Sequence, residues 1–349
     1  MPVNKSPGLI RSKTLIIILL IILAGLAILA AASGAVRIPP FTAGRIILSR
    51  LPLFGQRITA TWPPAWESII ISLRLRRIVL AILVGYALAL AGTVFQGVLQ
   101  NPLADPYIIG VSSGAALGAT VAIVSGFPLR LLGIGAVPVF SFAGALGSLT
   151  LAYRLARRGR AVPMLNLLLS GIAVGSFFSA LVSLLIFYGR ESMEQVVFWM
   201  MGGLSHGGWR QVWGVVPYII GASGVVLAHT REMNALLLGD AAAYHLGVDV
   251  EKVRRRLIFT GALLTASAVA VSGLIGFVGL IVPHMMRLFT GPDHRRLLPA
   301  AAIGGAILLL LADTAARSVL PPAEIPVGII TALCGAPFFL YLLHRRNKD

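Results

Sequence analysis

The sequence predicts an all-α integral membrane protein, a single bundle of about ten transmembrane helices. Three observations lead there. Of 349 residues, 57% are hydrophobic and 12% charged, whereas a soluble domain carries roughly 25% charged residues. The apolar residues gather into blocks of bilayer-crossing length. The 29 lysines and arginines, against 12 acids, concentrate in alternate connections between those blocks. A net charge of +17 would point to nucleic acid in a soluble chain. In so apolar a chain it fits anionic headgroups and membrane orientation, and no nucleic-acid partner is expected.

The first block runs from Thr14 to Val36, behind Lys5, Arg11 and Lys13. It starts like a signal peptide but is too long for one, so it reads as a retained transmembrane helix. Residues 37–68 are the longest polar stretch. Pro39, Pro40, Pro52, Pro63 and Pro64, with Trp62 and Trp66, suit an external loop on the membrane surface. Further apolar blocks cover 69–99, 108–127, 134–156, 163–188, 211–229, 257–274, 276–290, 297–319 and 326–344. Between the seventh and eighth of these ten blocks, Gly273, Gly276 and Gly279 fit either a turn or a kinked helix. Gly110, Gly114 and Gly118, like Gly171 and Gly175, stand four apart, a spacing that lets helices approach closely in lipid.

An even number of spans puts both termini on one side. The connections on that side hold Arg154, Arg157, Arg158 and Arg160, then Arg231, Lys252, Arg254, Arg255 and Arg256, then Arg287, Arg295 and Arg296. Both termini are therefore expected in the cytoplasm. The bases between Arg37 and Arg77 fall on the opposite side and need another reason.

Catalytic patterns are weak. Gly110 to Gly114 and Gly203 to Gly207 both match G-x-S-x-G, around Ser112 and Ser205, but neither sits in the strand-to-helix turn a nucleophile elbow needs. The six histidines show no metal-ligand spacing, and a single cysteine, Cys334, excludes an intramolecular disulfide and a cysteine-based metal site. Asp313 lies four residues before Arg317, where a helix turns them toward each other as an ion pair. Lys5, Lys13, Lys252 and Lys348 all lie outside any P-loop pattern. Any ATP-driven transport must draw on another subunit's ATPase. No metal or cofactor is expected.

Three segments are more specific. Arg74-Leu-Arg-Arg77 opens a helix that ends at Asn101-Pro-Leu-Ala-Asp-Pro106. Arg231 to Asp249 contains Gly239-Asp240 and Leu246-Gly247, where Asp240 is placed to cap a short helix, Ala241 to Leu246, closed by Gly247. Gly279-Leu-Ile-Val-Pro283-His284 precedes Asp313, Arg317, Glu324 and Gly335-Ala-Pro337. Together, from about residue 70 to 345, these resemble the FecCD-type permeases, membrane subunits of ABC importers for iron–siderophores, haem and cobalamin. One departure is Arg76, where the family often has proline.

The resemblance implies a type II ABC importer permease fold, one permease domain over 1–349, and a multi-pass place in a bacterial or archaeal plasma membrane. It implies two ATPase subunits, a substrate-binding protein and a second permease, identical or paralogous. Arg74, Arg77 and Arg317 match the family's positions that meet acidic residues of the binding protein. Residues 231–256 match the cytoplasmic coupling loop, with Leu238, Gly239, Asp240, Ala241, Ala242, Tyr244, Leu246 and Gly247 against the ATPase. Asn101, Pro102 and Leu103 match an inner gate, and Ser170, Gly171 and Gly175 a pathway-lining helix. Iron–siderophore is the expected cargo, with haem or cobalamin as alternatives. A secondary transporter is the rival class, but it would need intramembrane ionisable residues for ion coupling, and the chain has almost none.

Overall fold

The computed structural model describes residues 12–34, 36–50, 58–128, 130–131, 134–159, 162–205, 207–320 and 323–346. Lys5, Arg11, Pro52, Arg160 and Lys348, named above, lie outside them.

Nearly everything described is helical. In chain order the helices are α1 (Ser12–Ala32), α2 (Pro40–Ser49), α3 (Pro64–Ser68), α4 (Leu75–Val98), α5 (Val111–Ser125), α6 (Ala136–Ala156), α7 (Met164–Tyr188), α8 (Met193–Met200) and α9 (Trp209–Ala228). Then come α10 (Thr230–Leu236), α11 (Asp240–His245), α12 (Val250–Ser272), α13 (Val278–Thr290), α14 (His294–Ser318) and α15 (Val327–Arg346). Among the described residues, seven helices are long and apolar enough to cross a membrane, and three shorter apolar ones, Val111–Ser125, Val278–Thr290 and Val327–Tyr341, complete the pattern. Each of the ten apolar blocks thus has its helix. At 1.5 Å per residue, 13 to 15 residues span only about 20 Å of a roughly 30 Å core.

Non-helical backbone makes up the difference. Before α5 the chain runs through 99–105 and a 3-10 turn, Pro106–Ile109. Before α13 it is broken at Gly273–Phe277, where Gly273 has φ 67° and Phe277 φ 69°. The glycines near 274–276 therefore mark a true break. Both segments lie at depth: a Cβ on Gly279 would fall 2.9 Å from Leu88 O, midway along α4, and 2.9 Å from Pro106 Cδ. Irregular backbone is tolerated there because protein groups satisfy it. The Tyr107 hydroxyl donates to Ile275 O at 2.9 Å and accepts from Ile275 N at 3.1 Å.

Helix α4 is the axis of the bundle, packed on α14, α12, α13 and α9. Close approach is built from glycine. A Cβ on Gly85 would sit 2.2 Å from Gly305 O, and one on Gly92 1.8 Å from Gly279 O. Helices α5, α6 and α7 form a second group, in which a Cβ on Gly114 would meet Gly144 O at 2.3 Å. The four-residue glycine spacing of Gly114 and Gly118 is thus a packing device.

The polar stretch 37–68 differs from the expected surface loop. It contains α2, and from Pro64 the chain already belongs to one long helix continuing to Val98 through a π-helical turn, Ile69–Arg74. Trp62 is buried, with Arg45 stacked 5.4 Å from its ring, because α2 folds back on the base of that helix.

Candidate functional site

Two polar clusters stand at opposite ends of α14. At its C-terminal end, Asp313 is fully buried and meets two arginines. Arg77 Nε donates to Asp313 Oδ1 at 2.8 Å, and Arg317 Nε approaches Oδ2 at 3.2 Å without hydrogen-bond alignment. Arg77 Nη1 also donates to Glu324 at 2.8 and 3.0 Å. The i,i+4 pairing of Asp313 and Arg317 follows the sequence spacing; the share of Arg77 does not, since 236 residues separate it from Asp313. Arg74, turned inward by the π-turn, donates to the carbonyls of Ala31 and Val36. All three arginines singled out for docking are therefore already engaged within the protein. Of their two acidic partners, Glu324 is the exposed one: its side chain is 43% exposed while that of Asp313 is 0%.

The opposite end carries the α10–α11 loop. Gly239, at φ 93°, turns the chain into α11, and Gly247, at φ 81°, ends it. Gly247 N donates to Tyr244 O and Val248 N to Ala243 O, the paired bonds of a Schellman stop. Asp240 does not cap the helix as expected: it lies in the first turn, and its carboxylate receives Arg254 Nη1 and Nη2 from α12 at 2.7 and 2.5 Å. This bidentate clamp fixes α11 against α12. Ala243 is buried toward the bundle, while Ala241 faces outward and Ala242 is half-buried. Leu238, Tyr244 and Leu246 are 67%, 73% and 64% exposed, leaving an apolar knob with no cover.

Between the ends lies an open pocket of about 480 Å³ lined by Tyr107, Ile108, Gly110, Ser113, Gly171, Ile172, Gly175, Ser176 and Ser179. Gly171 and Gly175 are among its lining residues, and Ser170 is not. Gly171 also packs tightly, since a Cβ there would lie 2.8 Å from Ile109 Cα. Asn101 is exposed at the turn below α4, its side chain accepting from Leu103 N at 3.0 Å, with Pro102 and Leu103 half-buried beside it.

Sequence spacing missed a third set of contacts. Asn234 of α10 reaches Asp293 and His294 at the start of α14, and Gln100 Nε2 donates to Leu236 O at 2.6 Å. Burial pushes the Asp293 carboxyl up, but the Arg295 N–H, the Asn234 amide and the charges of Arg295 and Arg296 outweigh it and hold the group below its ordinary value.

Known proteins match this architecture along its length. A cobalamin import system permease protein of Halobacterium salinarum is 47% identical over 285 residues, 82% of this chain and 76% of the relative. A hemin transport system permease protein of Yersinia pestis is 43% identical over 293 residues, 83% of this chain and 87% of the relative. A solved transporter assigned to the metal-chelate ABC type, in an inward-facing conformation, superposes with a TM-score of 0.82 at 34% identity, covering 95% of this chain and 99% of that one. The FecCD transport family matches residues 14–345. With its ten apolar helices, its α4 axis and its capped loop helix, the chain belongs to the FecCD transport family, whose members named here are membrane permeases.

Proposed function

We propose that this chain is the permease subunit of an ABC importer for a metal chelate, with an iron–siderophore as cargo and haem or cobalamin as the alternatives. Two such permeases, identical or paralogous, work with two ATPase subunits and one substrate-binding protein. The observation that carries this is the α11 knob. Tyr244 on α11, with Leu238 and Leu246 flanking that helix, is exposed, and the Asp240–Arg254 clamp holds the helix in place. Such a patch is the form a docking anchor takes, an exposed aromatic and aliphatic group on a fixed support.

The orientation follows from charge. Arg231, Lys252, Arg255, Arg256, Arg295 and Arg296 are exposed at the knob end, which favours the cytoplasm for that end and for both termini. The other end then meets the binding protein. Because Arg77 is already bound, an acidic side chain of that protein would exchange with Glu324, the exposed partner, leaving Asp313 in place. Arg74 and Arg317 set the positive field around the exchange. Such complementarity steers docking more than it sets affinity.

The pocket beside α7 offers serine hydroxyls and glycines, contacts suited to a bulky chelate that keeps its own metal ligands. Helices α7 and α15 expose Leu169, Phe177, Phe187, Leu333 and Leu340, surface for lipid and for the second permease. Asn101, Pro102 and Leu103 close the inner end of this route. A secondary transporter would use a free buried carboxylate, whereas Asp313 is neutralised by two arginines.

The test is uptake of a ferric siderophore into proteoliposomes carrying permease, ATPase and binding protein, with ATP inside and no ion gradient. Uptake is expected. Transport that instead requires a proton or sodium gradient and ignores ATP would overturn the proposal.

A further inference from the structure

The knob has to move something, and it has two routes into the bundle, the Asp240–Arg254 clamp to α12 and the packing on α10. Helix α11 touches α10 and α12. Helix α10 in turn packs on α14 and α4, and two amides tie it there: Gln100, just past α4, holds Leu236 O, and Asn234 holds the start of α14. Asn234 Nδ2 donates to Asp293 Oδ1 at 2.6 Å, and Asn234 Oδ1 accepts from His294 N at 2.8 Å. The same Oδ1 lies 3.0 Å from His294 Nδ1, which places the imidazole proton on Nδ1. Asp293 Oδ1 also accepts from Arg295 N at 3.0 Å, so it is the N-cap of α14. One side chain therefore holds both the cap and the first residue of that helix.

The joint is tight on its far side. His294 is buried, and a Cβ on Gly97 of α4 would stand 2.9 Å from its Nε2 and 3.2 Å from Met233 Cε of α10. Helices α10, α14 and α4 meet at this point. From it the 25-residue α14 leads to Asp313 and Arg317, the cluster near its other end. A helix held at its start by α10 and at its end by Arg77 behaves as a rod between two joints.

We infer that Asn234 is the positioning residue through which displacement of the coupling helix is passed to α14. The inference rests on the coupling role proposed for α11. Packing alone leaves α10 free to slide past the start of α14, because apolar contact is non-directional. The paired amide contacts are directional, and they fix register between the two helices. Asn234 touches neither ATPase nor cargo; it acts through His294 and Asp293.

A side-chain exchange tests this. In N234D two carboxylates face each other, and the donor to Asp293 is lost. In the double variant N234D/D293N the amide and the carboxylate change places. The carboxylate then accepts from His294 N, the amide donates to it, and the amide oxygen still caps Arg295 N. Uptake and ATP hydrolysis are measured together in proteoliposomes holding the full transporter. The expected result for N234D is about a tenfold fall in cargo moved per ATP, with the ATPase still bound, and recovery to within about threefold in the double variant. Should N234D not accumulate, N234A removes the amide without adding charge and gives the same readout. A normal transport ratio in the single variant, or no recovery in a folded double variant, overturns the inference. The coupling reading fails separately: in that case the ATPase does not copurify with the unaltered permease, or binds undiminished after Tyr244 and Leu246 are both changed to alanine.

Discussion

The two ends of α14 solve opposite problems. At the Arg77 end, charge is taken inside and neutralised: Asp313 is fully buried between two guanidinium groups. At the α11 end, one buried arginine braces the helix through Asp240, and the other bases and the apolar side chains stay outside. The first arrangement is finished within one chain. The second, on the docking role proposed for it, gains from a partner, because exposed leucine and tyrosine on and beside α11 are stabilised by being covered. The difference separates a lasting contact from a passing one. The knob suits an ATPase that stays, while the arginine end, self-sufficient in its absence, suits a protein that comes and goes.

The largest effect expected from breaking this contrast is in D313A. It leaves Arg317 without an acid in a buried site and Arg77 with Glu324 alone, and losing one partner of a buried pair costs about 3–5 kcal/mol. The variant should unfold at clearly lower temperature in detergent, with transport lost alongside; an unchanged melting temperature would show that the cluster is not structural. A smaller effect, felt in binding alone, is expected from the pair Y244A and L246A. Truncating two anchors should weaken ATPase association by about 2 kcal/mol or more, read by copurification or by titration, with the melting temperature of the isolated permease within a degree or two of the parent. Loss of thermal stability there would mean that the knob packs against its own bundle. The smallest effect is expected in E324Q. Its carboxylate is 43% exposed, so stability should change by less than about 1 kcal/mol, while binding-protein association should be equal or faster because Arg77 is partly released. Slower association would remove Glu324 from the docking route. Arg77 itself is a poor probe of docking, since reversing its charge disrupts Asp313 as well.

How much of this was readable in the chain depends on distance along it. The ten apolar blocks gave ten helices because the requirement to satisfy backbone groups in lipid leaves little alternative. The i,i+4 pair of Asp313 and Arg317 and the glycines bounding α11 were readable because each is a local geometry. The Asp240–Arg254 clamp spans 14 residues across a break between helices, and Asn234 to Asp293 spans 59. No periodicity encodes such pairs; they exist only once α10, α12 and α14 have packed. Hydropathy separated α5 and α13 from the helices before them, but it counted residues 108–110 and 276–277 of their irregular approaches as part of the apolar blocks. An apolar residue in a re-entrant segment and one in a helix carry the same signal. The inward turn of Arg74 was hidden too, because a π-turn is one extra residue of winding with no marker in composition.

The phenol that serves Ile275 bears on what the bilayer keeps out. Where α12 gives way to α13, an amide and a carbonyl face no helical neighbour, and Tyr107 answers both. Had a water molecule filled that duty, a hydrated seam would have stood open beside the axis even at rest, and protons would have had a first stepping stone across the lipid. A side chain in its place satisfies both groups with protein alone, so the break between these two helices can stand at depth with no bound water to hold it.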